Sequence, residues 1–383
     1  MSQLVQVIRD RITHSPQNKI SFAEFMDLAL YHPDLGYYSG GNVEIGAGGD
    51  FFTSVSLGAD LGDLLAVQFA QMWECLSQPQ PFILLEMGAG LGDLALDILK
   101  AVEGRYPVFY SRLEYWIVEE SPALIRRQKE VLKGYPVQWK TWSEIEDNSM
   151  VGCCFANELV DAFPVHQVRV EDGELKEVYV TETEAGLTEI TGELSTPQLA
   201  QYFQEMGVDL LAPDYAKPYQ TEVNLAAISW LETVAKKLQK GYLITIDYGY
   251  SATRYYNRER SRGTLQCYYQ HRRHNNPYIN LGQQDITAHV NFTALQHYGQ
   301  QYGLETLGQT KQAMFLMALG LGEKLNALSS GQFGVEQILQ RRDALHQLMD
   351  PTGLGGFETL IQGKGLKETE ATQPLQGLTV PLF

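Results

Sequence analysis

Cysteine, positive charge and long apolar runs are all scarce in this chain, and each scarcity excludes something. Only four cysteines occur in 383 residues. Cys75, Cys153, Cys154 and Cys267 form no C-x-x-C pair and have no histidine at zinc-ligand spacing, so no metal site and no disulfide scaffold is expected. Adjacent Cys153 and Cys154 lie in an apolar run that reads as a core strand of a reducing compartment. Lysine and arginine total 29 against 46 acids, a net charge of −17. Such a field opposes binding to DNA or RNA, which depends on neutralising phosphates, and favours a cationic partner. Ala313–Leu321, among the longest apolar runs, falls well short of the ~20 residues of a spanning helix, so no transmembrane segment is expected. Met1–Thr13 mixes polar and apolar residues at helical spacing and lacks the basic and apolar regions of a secretory signal; a cytoplasmic location is expected. No Walker-type Gly-Lys-Ser/Thr occurs, which argues against a nucleoside triphosphate.

What is present is most informative at Phe82–Leu96, FILLEMGAGLGDLAL. An apolar run reaches Glu86, three glycines follow at alternate positions, Gly88, Gly90 and Gly92, and an amphipathic stretch begins. This predicts a strand, a tight turn and a helix. Glycines let backbone approach a ligand with no Cβ in the way, and the helix start offers free N–H groups. Dinucleotide enzymes use G-x-G-x-x-G. Here an acid sits two residues before G-x-G-x-G, the pattern of S-adenosylmethionine-dependent methyltransferases.

Apolar runs at Leu113–Val118, Val151–Ala156 and GYLITIDYGY supply further strands, and helical stretches lie between them. The alternation predicts an α/β fold with a mostly parallel sheet. Ser21 with Glu24 forms a capping box for a helix that ends at His32-Pro33, and Ser121-Pro122 opens another. A strand near Leu304–Leu307, a helix over Gln312–Leu325 and a last strand near Phe357–Ile361 complete the sheet. Residues 1–58 read as a helical segment with a glycine-rich lid over Gly40–Asp50, and residues 59–383 as the main domain. Two stretches interrupt it. Residues 171–223 begin with a hairpin at Asp172-Gly173, and residues 251–287 are rich in Arg, Tyr, Asn and His; both are read as insertions carrying substrate specificity.

The blocks ISFAEFMDLALYHPDLGYYS, GDFFTS, LLEMGAGLGDLALDIL, IVEESPALIRRQ, ANELVDAFPVHQ, LITIDYGY, GTLQCYYQHRRHNNPYINLGQQDITAHVNF and FLMALGLGEKL occur in order between about residues 20 and 362. On these the chain resembles the MidA-type methyltransferases, relatives of the mitochondrial complex I assembly arginine methyltransferase. The resemblance implies a Rossmann-like class I methyltransferase sheet, mostly parallel with its last strand antiparallel, an inserted lobe, and S-adenosylmethionine as cofactor. It also implies a protein substrate, with arginine methylation of a core subunit of respiratory NADH dehydrogenase as the family role. A small-molecule or RNA methyltransferase, and an assembly chaperone that binds the cofactor without transfer, are the alternatives. Two departures stand out. The family's Gly-Pro-Gly-Arg-Gly turn is Gly88-Ala89-Gly90-Leu91-Gly92 here, and its Thr-Ser-Pro-Glu-Ile is Thr53-Ser54-Val55-Ser56-Leu57, which loses a carboxylate.

Each part of the cofactor asks for a different partner. Gly88, Gly90 and Gly92 admit its amino acid end, while Glu86 orders the loop or meets the ammonium through water. Thr53 and Ser54 bond its carboxylate or cap the following helix. Glu119, 27 residues past Gly92, accepts both ribose hydroxyls, and Glu120 points away because strand side chains alternate. Asn157, Glu158 and Asp161 follow a core strand at the carboxyl edge of the sheet. A guanidinium acceptor has to be gripped by carboxylates that aim one nitrogen at the methyl group. Glu158 and Asp161 fit that grip and Asn157 the alignment, although Asp161 can instead cap the turn into Ala162-Phe163-Pro164. Asp247 and Tyr248 end the next strand on the same edge. His166 reads as structural. His271-Arg272-Arg273-His274, flanked by Tyr268 and Tyr269, reads as part of a structural lobe or as a clamp on an acidic part of the partner.

Overall fold

The strands of the central sheet are apolar runs where neighbours cover both faces and mixed runs at its two edges, Val137–Lys140 and Glu305–Lys311. The computed structural model describes residues 3–40, 57–213, 215, 218–330 and 334–380. In it these runs become β1 (Phe82–Met87), β2 (Leu113–Val118), β3 (Val137–Lys140), β4 (Met150–Asn157) and β5 (Leu238–Asp247), joined by β6 (Glu305–Lys311) and β7 (Glu358–Lys364). Their order is β6-β7-β5-β4-β1-β2-β3. β1 to β5 pair in parallel, and β7 runs antiparallel to both β5 and β6. Strand order reverses between β1 and β4, which opens a crevice at their carboxyl ends.

The helices that matter here are α1 (Gln3–His14), α2 (Phe22–Tyr31), α3 (Asp60–Cys75), α4 (Asp93–Arg105), α5 (Pro122–Val131), α6 (Leu225–Lys237) and α7 (Phe292–Gln301). Alternation along β4 divides the core. Cys153 and Phe155 join a cluster with Phe69 of α3 and Ile98 of α4, whereas Cys154 and Ala156 join Leu231 of α6 and Leu295 of α7 on the other face. The four cysteines are buried and unpaired. Ser21 caps α2, its side chain accepting from Glu24 N at 3.1 Å, and the helix stops at Tyr31 before His32-Pro33.

A third core packs α1 and α2 against Val165, Val180, Cys267 and Ile286. It joins two small sheets to the N-terminal helices. One contains Ile20–Ser21, His166–Glu171, Glu174–Thr183, Gly186–Gly192 and Tyr219–Val223, with Asp172 and Gly173 at φ 51° and 80° in its tight turn. The other has three strands, Gln266–Tyr269, Arg272–His274 and Asp285–Thr287. The helix expected over Gln312–Leu325 is two helices, Gln312–Ala318 and Leu321–Ala327. Gly320 at φ 108° ends the first in a left-handed turn. The last strand runs to Lys364 rather than Ile361, because its pairing with β5 continues to Gly241.

Candidate active site

The crevice at the switch in strand order is a cavity of about 1080 Å³. Its first half is built at the ends of β1 and β2. Gly88, Gly90 and Gly92 take φ of 69°, 52° and 91°, a region that side chains rarely enter. Gly88 and Gly90 line the cavity. Gly92 does not: it caps α4, and a Cβ there would come within 3.3 Å of Gln128. It packs against α5, behind the residues that line the cavity. Glu86 lines the cavity at 3% exposure, with its Oε2 accepting from Tyr115 Oη at 2.7 Å. Burial pushes its carboxyl up to about 7.

Gln128 on α5, fully buried, ties this half together. Its Nε2 donates to Gly90 O at 2.9 Å and to Glu119 Oε2 at 3.2 Å, and its Oε1 accepts from Trp139 Nε1 at 2.9 Å. Glu119 Oε1 accepts the backbone N–H groups of Glu120 and Ser121, each at 2.9 Å. A carboxylate has roughly four acceptor positions, so these three bonds leave one for a ribose hydroxyl rather than two. Glu120, expected to point away, lines the cavity beside Glu119. The physical reason is that β2 ends at Val118, so strand alternation no longer applies to either acid. Val118, Leu124 and Trp142 form an apolar wall nearby, suited to an adenine ring. Thr53 and Ser54, like the glycine-rich lid from Gly41 onward, lie outside the described residues. Left-handed glycines, a buried acid for the ammonium, acids for the ribose and an apolar wall together fit S-adenosylmethionine.

The second half lies at the ends of β4 and β5. Asn157 and Glu158 line it, 3.3 Å apart from Nδ2 to Oε1. Glu158 sits at φ 53°, a conformation that costs a non-glycine residue about 1–3 kcal/mol and tends to occur at functional sites. Asp247 is fully buried and accepts three backbone donors, Val160 N at 2.9 Å, Asp161 N at 3.2 Å and Tyr248 N at 2.8 Å. The cap on the turn after β4 is thus Asp247, which frees Asp161 from that duty. Asp161 is 6% exposed and lines the cavity; its carboxyl is within hydrogen-bonding reach of the Tyr248 hydroxyl, and its Oδ1 has no hydrogen-bond partner among the described residues. Asp285, 2% exposed, accepts from Tyr38 Oη at 2.9 Å on the facing wall. Burial first, then repulsion from Asp247 and Asp285, raises the Asp161 carboxyl far above the ordinary carboxylate range. Asp247 is raised by burial and by Glu158, against the pull of its three N–H donors.

The structure therefore gathers Glu86, Gly88, Gly90, Glu119, Asn157, Glu158 and Asp161 around one cavity. His166 lies elsewhere, its Nδ1 2.8 Å from Glu177 Oε1. Gln128, Tyr38 and Asp285 were not singled out from the sequence. Tyr38 and Asp285 fall inside the family blocks, and that was their only signal. Among the described residues no cluster of three or more His, Cys, Asp or Glu could hold a metal ion. No helix among them is long and apolar enough to cross a membrane.

The model of a family described as S-adenosyl-L-methionine-dependent methyltransferases matches residues 64–310. A Burkholderia thailandensis protein solved with S-adenosyl-homocysteine bound superposes with a TM-score of 0.86 at 30% identity, over 98% of this chain and 94% of its own. The mitochondrial protein arginine methyltransferase NDUFAF7 of Homo sapiens is 27% identical over 88% of this chain and 78% of its own length. The Drosophila melanogaster homolog is 25% identical over 88% and 79%.

Proposed function

Because this chain belongs to the S-adenosyl-L-methionine-dependent methyltransferase family that it matches, we propose that its acceptor is an arginine side chain of a protein, in the family role a core subunit of respiratory NADH dehydrogenase. The observation that carries this is Asp161: a carboxyl group 6% exposed, lining the cavity, with an oxygen that has no hydrogen-bond partner among the described residues. Asp285 and Glu158 border the same space. Ionising a buried acid among others is unfavourable until a cation arrives, and a guanidinium supplies both the charge and a row of N–H donors. The similar proteins named as protein arginine methyltransferases support the same reading.

The bound cofactor supplies an electrophilic methyl carbon on a sulfonium. Glu86 and the turn around Gly88 and Gly90 hold its amino acid end, and Glu119 with Glu120 its ribose. Asp161 and Glu158 grip the guanidinium and turn one nitrogen toward the methyl, Asn157 fixing the Glu158 carboxylate. The acceptor nitrogen would take the methyl from that sulfonium, whose sulfur would keep the electron pair of the broken bond. The nitrogen's surplus proton would pass to the carboxylate of the grip that holds that nitrogen, Glu158 or Asp161. Mass spectrometry of NADH dehydrogenase core subunits from cells with and without this protein tests the assignment. A methylated arginine present only with the protein is expected, and identical methylation in both would overturn it.

A further inference from the structure

The acidic cavity has a basic mouth. In a chain with 17 more acids than lysines and arginines, Arg254, His271 and Arg273 line the opening, all three exposed. Among the described residues Arg254 and Arg273 meet no carboxylate within ion-pair distance. Arg254 lies over the Tyr250 ring, its Cζ 4.5 Å from the centroid, and His289 stacks on the same ring at 5.0 Å. Lys311, the remaining cation of the wall, is already held by Glu358 at 2.5 Å.

The three-stranded sheet explains how acid and base share one wall. Asp285 is opposite Tyr268, and Tyr268 is opposite Arg273. Opposite residues on antiparallel strands face the same side, so one row carries a buried carboxylate, a phenol and an exposed guanidinium up to the mouth. Two strand spacings separate its ends by roughly 10 Å. A tight turn at Gln270 and His271, with φ 48° and 59°, brings Arg273 back over the cavity.

We infer that the mouth reads an acidic side chain within about three residues of the target arginine, since an extended chain covers roughly 10 Å in three residues. This rests on the arginine reading above and adds to it the sequence context of the substrate. The surrounding negative field repels an acidic segment everywhere else, so the two arginines discriminate among substrates as well as attract. A nucleic acid would meet the same arginines, but its phosphates would then lie against the carboxylates of the floor.

Fluorescence anisotropy of labelled eleven-residue Gly/Ser peptides with a central Arg, on the full chain saturated with S-adenosyl-homocysteine, tests it. Glu is placed one to three positions to either side, with Gln peptides as controls. The best Glu peptide should bind about 3–10-fold more tightly than its Gln counterpart, less so in high salt. R254Q/R273Q should lose that preference while keeping the cofactor affinity that reports folding, and R254E/R273E should prefer Lys-flanked peptides. Equal binding of Glu and Gln peptides to the native chain, or a preference that survives R254Q/R273Q, would overturn the inference. So would a uridine decamer that binds through the same arginines more tightly than any peptide. A separate peptide with norleucine for the central Arg isolates the acceptor: if it binds as well as the Arg peptide, the arginine reading fails while the Glu preference still supports the basic mouth.

Discussion

Asp161→Asn separates the demands of function from those of folding. The exchange keeps volume and removes the capacity for a negative charge from a group whose Oδ1 has no hydrogen-bond partner among the described residues. If that oxygen receives a guanidinium, the loss is one charge-assisted contact, about 2–3 kcal/mol, or roughly 30- to 150-fold in kcat/KM. Stability should move the other way. The folded protein holds this proton far above the ordinary carboxylate range, so the group's favourable contribution is complete at low pH and is lost as pH rises through the raised value. Asparagine does not titrate and escapes that loss. The variant's melting temperature should therefore match or slightly exceed that of the native chain at pH 5, and the gap should widen toward pH 8.5. Radiometric methyl transfer, calorimetric cofactor affinity and thermal melting across that range provide the readouts. A variant that is destabilised equally at every pH while it transfers methyl at the native rate would show that Asp161 is a structural acid with a hidden partner.

Other perturbations address the cofactor half. Glu86→Gln should flatten the pH dependence of cofactor binding. In the native chain, affinity should rise as pH passes about 7, since the cofactor's ammonium favours the ionised acid; an unchanged slope in the variant would remove Glu86 from that contact. Gly90→Val should abolish binding, because φ 52° is strained for a branched residue and the position lines the cavity; equal calorimetric affinity would sink the turn's role. Gln128→Ala removes three buried hydrogen bonds and should cost about 1–3 kcal/mol of stability together with about tenfold in cofactor affinity, both visible in one ligand-dependent melt. Glu119→Ala and Glu120→Ala should each weaken binding, by about 1–2 kcal/mol, if the ribose hydroxyls are shared; a loss confined to Glu119 would return both to that acid.

The cofactor half was legible because its signals are local. Glu86 and the glycine turn fall within seven residues, and Glu119 follows directly on the next strand. What spacing does not reveal there is the packing and the hydrogen-bond accounting. Gly92 carries the same residue type as Gly90, but only the packed position of Gln128 shows which of them faces the cavity. Glu119 and Glu120 were ranked by strand alternation, and the strand stops one residue too early for the rule to hold. The fold was readable for a similar reason where the strands are buried apolar runs, whereas the edge strand Val137–Lys140, VQWK, has no apolar run to mark it and was not expected.

The acceptor half draws on residues far apart in the chain. Asp285 reaches the site because Asp285–Thr287 pairs with Gln266–Tyr269, and Tyr38 because α2 packs on that sheet. Neither relation has a periodicity to find. What the assembled site does show is a cost that folding alone does not explain. Of its carboxylates, Asp247 serves the backbone and Asp285 takes a tyrosine hydroxyl, whereas Oδ1 of Asp161 has no hydrogen-bond partner among the described residues. Replacing such a group by a neutral isostere is the ordinary route to a more stable protein, and its usual penalty is lost function. A buried acid kept at that expense beside Asp247 and Asp285 is best accounted for by a cation that enters from outside and leaves again.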